Sequence, residues 1–289
     1  MNRRHFFAAA LGSVAAAAAP PHQYRLRYAP RIGWLNIPVP AQLEKFAAQG
    51  FQAFEYNSLP RHPLAEVETF RKKMDELKMS MGVFVVNSGG WKGDAMVDTA
   101  FHAGFLKDVH KAVEYHGVIG NECATVTSGL AVKNLSVEQQ TRNCIEVLKR
   151  AADIVSKTKL VLVLEPLNVL VDHAGYFVVT SAHGAEIIRA VGSPQVRLLF
   201  DMYHQQISEG NLIHNLRQYW DLIAYFQVGD VPGRKEPGTG EVNWRNVFTA
   251  IHEKGYRGIL GMEHGLSEPG EAGMMKCFNE YRKADSWEA

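Results

Sequence analysis

Cysteine is scarce in this sequence: only Cys123, Cys144 and Cys277 occur among 289 residues. Three scattered thiols make neither a disulfide framework nor a thiolate metal site, so they read as small buried hydrophobes. Charge of one sign is lacking too. Lysine and arginine number 31 against 30 acidic residues, a formal net charge of +1. With no basic block and no stripe of aromatics among cations, nucleic acid is excluded as the main partner. No linker, low-complexity segment or tandem repeat breaks the region after the N-terminus. A dinucleotide fingerprint is missing as well, because "GWLNIPVP" lacks the glycine spacing that lets a backbone approach a pyrophosphate.

What is present begins with "NRRHFFAAALGSVAAAAAP", where Arg3 and Arg4 precede two phenylalanines and a short alanine-rich run. The run is too short to span a bilayer, so no stable membrane span is expected. Residues 1–19 read as a signal peptide, and the arginine pair resembles the twin-arginine export signal. The expectation is a periplasmic protein, with a cytoplasmic one as the alternative.

From residue 28 to about 285, short apolar runs alternate with amphipathic stretches. Candidate strands lie in 29–35, 51–56, 81–86, 122–127, 160–165, 196–201, 222–227 and 258–263. Most are too continuously apolar for a strand with one wet face, which points to a parallel sheet buried on both sides. Between them, "PAQLEKFAAQG" opens on proline and closes on glycine, as helix boundaries favour. "HPLAEVETFRKKMDELK" spaces Leu64, Val67, Phe70, Met74 and Leu77 three or four apart on one face. Ser136 and Gln139 have the spacing of a reciprocal capping box. Eight strand–helix units in a single domain predict an α/β fold, a closed (β/α)8 TIM barrel, with an open doubly wound sheet as runner-up.

Four consecutive apolar runs end in a polar group: Glu165, Asp201, Gln227 and Glu263. In a barrel these ends converge on one half of the mouth, where catalytic groups sit. Any one of them could be a helix cap or a solvated loop residue. Three carboxylates packed together, however, need a cation or a shared proton, because like charges at short range repel. A divalent metal held by Glu165, Asp201, Gln227 and Glu263 is the simpler solution, and an all-oxygen set selects Mg²⁺ or Mn²⁺.

The stretches "LVLEPLN", "LLFDMYHQQ", "YFQVGDVPGRKEPGTGEVNW" and "GMEHG" resemble the motifs of the hydroxypyruvate isomerase family. That family lies among the xylose-isomerase-like barrels, with ketose 3-epimerases and inosose dehydratases. The resemblance runs from about residue 28 to 270 and is strongest after Leu160. It implies metal ligation by the same four residues, substrate contact by His204 and Arg234, and Glu165 with Glu263 as the acid/base pair. The chemistry is coherent. Interconverting an α-hydroxy ketone and an α-hydroxy aldehyde moves a proton between adjacent carbons, and a cation chelated by both oxygens stabilises the enediolate. His204 can hydrogen-bond a substrate oxygen, and Arg234 can fork onto a carboxylate.

Departures from the pattern bear on the substrate. "VNSGGWKGD" keeps Asn87 and the Gly93–Asp94 pair but not the expected loop, "TVTSGL" differs, and His264 stands where tyrosine is common. Asp230 reads as ordering the "GDVPG" turn, and His264 should point to the opposite face from Glu263. The expected activity is isomerisation of hydroxypyruvate to tartronate semialdehyde, or of a related small hydroxy-carbonyl compound or sugar. A sugar epimerase or dehydratase is the alternative, and a non-catalytic sugar-binding barrel a third. Gln227, where many sugar epimerases present histidine, leans against the epimerase. A barrel endonuclease would need more histidine ligands and a basic cleft. A homo-oligomer is expected by fold analogy alone.

Overall fold

The computed structural model describes residues 22–87 and 95–287. The leader expected over 1–19 and the Gly93–Asp94 pair lie outside the described residues. Eight parallel strands are β1 (Arg27–Pro30), β2 (Ala53–Phe54), β3 (Ser80–Met81), β4 (Cys123–Val126), β5 (Val161–Leu164), β6 (Val196–Asp201), β7 (Ile223–Gln227) and β8 (Ile259–Met262). Six of them pair in the order β1-β8-β7-β6-β5-β4, and β2 pairs with β3. Parallel bridges Arg31–Glu55 and Val85–Thr125 join the two pieces, so the cylinder closes. The strands are mostly shorter than the apolar runs that announce them. Apolarity reports burial, whereas the ladder stops where the chain turns, as at Gly33 with φ +106° after β1.

Around the strands lie α1 (Val39–Ala48), α2 (Leu64–Leu77), α3 (His102–Ile119), α4 (Val137–Val155), α5 (Ser181–Val191), α8 (Trp244–Glu253) and α9 (Gly270–Ala284). Two short helices, α6 (Met202–Ser208) and α7 (Leu212–Gln218), fill the connection from β6 to β7. The helix α4 shows why these segments are helical. Cys144, Val147, Leu148, Ala151 and Val155 recur every three or four residues and are all buried. Each fully buried Val or Leu contributes about 1.5–3 kcal/mol. Ser136 caps α4 by accepting from the N–H of Gln139 at 3.2 Å. The Gln139 side chain turns to Asn143 instead, so only half of the reciprocal box forms. All three cysteines are buried and free, as their spacing implied. Among the described residues no helix is long and apolar enough to cross a membrane.

Inside the cylinder Ala29, Ala53, Val83, Cys123, Val163, Leu199, Tyr225 and Ile259 form their own apolar cluster, one residue from each strand or its extension. Side chains alternate along a strand, so the residue two positions on faces the same axis. That step gives Arg31, Glu55, Val85, Thr125, Glu165, Asp201, Gln227 and Gly261. The barrel is therefore plugged by an apolar layer and crowned by a polar one at the C-terminal ends of its strands.

Candidate active site at the barrel mouth

Asp201 answers both to a helix cap and to a site. Its Oδ1 accepts the backbone N–H of Tyr203 at 2.8 Å and of His204 at 3.3 Å, capping α6. Its Oδ2 faces the other way, 3.5 Å from Nη2 of Arg234 and 3.6 Å from Nε2 of His204. One oxygen of Glu165, one of Asp201 and a ring nitrogen of His204 lie within 4.8 Å of one another, all buried. Burial, Glu263 and Asp201 push the Glu165 carboxyl well above its usual range. Burial, opposed by Arg234, raises Asp201 to about 7. These acids are crowded and short of positive charge.

Glu263 stands one residue past β8. Its Oε1 accepts from Asn57 at 2.6 Å and its Oε2 from Arg234 at 2.8 Å. Arg234 thus bridges Glu263 and Asp201, while its Nε donates to the Glu263 carbonyl at 3.2 Å and its guanidinium lies 4.8 Å over the Tyr203 ring. Its backbone is left-handed, with φ +52°, a conformation that costs a non-glycine residue about 1–2 kcal/mol. The loop around it enforces that geometry. Asp230, buried, accepts from the N–H groups of Val231, Gly238, Gly240 and Val242, which is the turn-ordering role read from the sequence. Glu236 ties the same loop to Ser267.

His204 has a defined tautomer. The Asn168 Oδ1 accepts from the N–H groups of Val171 and Asp172, which fixes its amide so that Nδ2 donates to Nδ1 of His204 at 2.7 Å. The Asn168 backbone N–H adds a second donor at 3.3 Å. With Nδ1 accepting, the proton sits on Nε2, which is buried and has no hydrogen-bond partner. An N–H cannot ligate a metal. The imidazole therefore presents a free N–H donor, and its nitrogen falls inside the compact cluster with Glu165 and Asp201.

Gln227 lies opposite Asp201 in the β6–β7 register. Its Nε2 donates to Oε1 of Glu55 at 3.1 Å, and its Oε1 is buried with no partner. An orphaned buried carbonyl costs about 1–3 kcal/mol unless something accepts its lone pairs. Glu165, Asp201, Glu263 and the Gln227 carbonyl are all hard oxygens beside excess negative charge, and that set fits a divalent cation.

Glu55 was not anticipated as a site residue. It ends the β2 run as Glu165 ends β5, so the same signal of an apolar run closing on a carboxylate marked it. Asn57 and Asn168, which hold Glu263 and His204, carried no such signal, since an amide in a loop is common. His264 is structural: its ring bonds the Gly265 carbonyl and the Tyr281 hydroxyl and stacks on Tyr281.

The family model for the xylose isomerase-like TIM barrel matches residues 43–280. The chain belongs to this family. Within it, a 2-oxo-tetronate isomerase of Cupriavidus necator is 31% identical, covering 78% of this chain and 87% of the relative. The hydroxypyruvate isomerase of Escherichia coli is 28% identical over 84% and 93% of the two chains. The motif resemblance thus extends over most of this xylose isomerase-like barrel. In three dimensions, a family 2 AP endonuclease of Brucella melitensis superposes with a TM-score of 0.78 at 24% identity, covering 86% of this chain and 96% of its own, which shows the shared fold.

Proposed function

We propose that this barrel is a metal-dependent aldose–ketose isomerase whose substrate is a short α-hydroxy-carbonyl acid, hydroxypyruvate or a related 2-oxo acid. The observation that carries the reading is the buried cluster of Glu165, Asp201 and His204, joined by the unpartnered carbonyl of Gln227, the register neighbour of Asp201, and by Glu263 held by Arg234. Glu165, Asp201, Gln227 and Glu263 would hold Mg²⁺ or Mn²⁺. When bound, the cation supplies stabilisation for the negative charge that develops on two adjacent substrate oxygens.

The remaining chemistry belongs to the chain. One of the two carboxylates, Glu165 or Glu263, takes the proton from the hydroxyl-bearing carbon. The other returns one to the neighbouring carbonyl carbon, while the hydroxyl proton passes to the former carbonyl oxygen, so the carbonyl moves by one position with no net redox change. His204 offers its Nε2–H to the oxygen that gains charge. Arg234 lies beside the same carboxylates and meets the acid group of the substrate. An endonuclease reading lacks support, because among the described residues His204 is the one histidine in the cluster and its free nitrogen is protonated.

Incubating the Mn²⁺-loaded protein with hydroxypyruvate in deuterated water tests the proposal. Tartronate semialdehyde carrying deuterium at carbon is the expected product. Inverted sugar stereochemistry or loss of water, with hydroxypyruvate untouched, would replace the isomerase with an epimerase or dehydratase.

A further inference from the structure

We propose that Glu55 is a positioning residue that turns the carbonyl end of the Gln227 amide towards Glu165 and Asp201. The inference rests on the metal-site reading above and goes beyond it, because Glu55 touches neither of those carboxylates through a hydrogen bond.

The two ends of a glutamine amide have nearly the same size, so packing cannot choose between them. Hydrogen bonding can. Glu55 is fully buried, and its oxygens accept from Gln227 Nε2 at 3.1 Å and from the Tyr225 hydroxyl at 2.8 Å. With a cation bound and Glu55 ionised, turning the amide over would set the Gln227 oxygen against a carboxylate and aim an N–H₂ group at the cation-binding oxygens. Both contacts are unfavourable, and a buried polar group without a partner costs about 1–3 kcal/mol. The fold reserves room for this device. Gly261 belongs to the same layer of the barrel, and any Cβ there would run into the Glu55 carboxylate. With a glycine on β8, the carboxylate from β2 reaches across to β7. The consequence is the lone buried oxygen of Gln227, Oε1, left for an incoming ligand.

Mn²⁺ affinity measured by titration calorimetry, with circular dichroism to check the fold, tests this without recourse to activity. Glu55→Leu should weaken Mn²⁺ binding about 10- to 100-fold, the usual loss when a group that orients a ligand is removed. Adding Gln227→Glu to that variant should restore affinity to within about threefold of the wild type, since a carboxylate presents oxygen whichever way it turns. Gln227→Glu should raise affinity more in the Glu55→Leu background than in the wild type, a difference that a merely structural role for Glu55 gives no reason to expect. Should Glu55→Leu fail to fold, Glu55→Leu with Tyr225→Phe removes the orphaned hydroxyl and carries the same expectation. Unchanged affinity in a folded Glu55→Leu protein, or a folded double variant without recovery, overturns the positioning role. No Mn²⁺ binding by the wild type overturns the metal-site reading itself, and the positioning role with it.

Discussion

Asn168 donates to Nδ1 of His204 at 2.7 Å, while the opposite ring nitrogen lies 3.6 Å from Asp201. The pair makes His204 a donor at its Nε2 edge. Burial, Arg234 and His173 hold its pKa well below the ordinary histidine value, so the ring stays neutral. Nitrogen chemical shifts of labelled histidine should report a neutral, Nε2-protonated ring from pH 8 down to about 6. Asn168→Ala frees the tautomer and should lower kcat/KM about 10- to 100-fold. A ring protonated at pH 6.5, or an Nδ1–H tautomer, would remove the proposed donor.

Glu165 and Glu263 differ in their surroundings yet share a proposed task. Replacing either with glutamine keeps volume and one acceptor oxygen but removes the basic site. Turnover should fall at least about 10³-fold, within the range for loss of a positioned acid or base. Glu263→Gln should also leave the melting temperature within a few degrees, because an amide oxygen can still accept from Arg234 or Asn57. Residual activity near the original level would show that another group moves the proton.

The fold was legible because burial on both faces and a strand–helix alternation leave a strong imprint. β6 falls on the very residues the apolar run marked, 196–201, and Asp201 ends it. The candidate site was legible through the same edge between apolar run and polar ending. What escaped was relational. Whether Asp201 caps a helix or faces a ligand was posed as a choice, and the structure divides the two tasks between its two oxygens. Glu55 closes a run that Gln52 interrupts and Tyr56 continues, so its polar ending was less sharp than those of Glu165 and Asp201. The hold of Asn57 on Glu263 spans 206 positions, and no local pattern encodes it.

Arg234 is engaged with Glu263 at 2.8 Å and Asp201 at 3.5 Å, so its charge serves the site before any substrate arrives. A cation bound by those acids would take over that compensation and leave the guanidinium for an acidic substituent. Arg234→Ala should therefore cost about 100-fold in kcat/KM with hydroxypyruvate. With dihydroxyacetone, the neutral counterpart, the loss should stay under about tenfold. The difference corresponds to a charged hydrogen bond of about 1.5–3 kcal/mol. Equal losses would confine Arg234 to balancing the carboxylates.

The crowded carboxylates also fix how stability responds to pH. Burial and Glu263 raise Glu55 to about 8, and burial with Glu263 and Asp201 raises Glu165 well above its usual range. Between pH 7 and about 8 the unfolded chain has already released the Glu55 proton, whereas the metal-free folded protein gives it up only as pH passes about 8, and the upward shift of Glu165 acts in the same direction. The folded state then binds more protons, so its stability falls as pH rises through that window. Histidines do not blur the trend, since those with lowered values are neutral in both states above pH 7. The metal-free protein should melt about 3 °C lower at pH 8 than at pH 7, at about 2–4 °C per kcal/mol. Mn²⁺ neutralises the same cluster and should abolish most of that slope, and its affinity should rise at least about tenfold per pH unit from 5 to 7 as it displaces the proton of Asp201, raised to about 7, and more steeply where the raised Glu165 carboxyl gives up a proton as well. Parallel melting curves with and without Mn²⁺ across this range would mean that the cation binds somewhere other than among these acids.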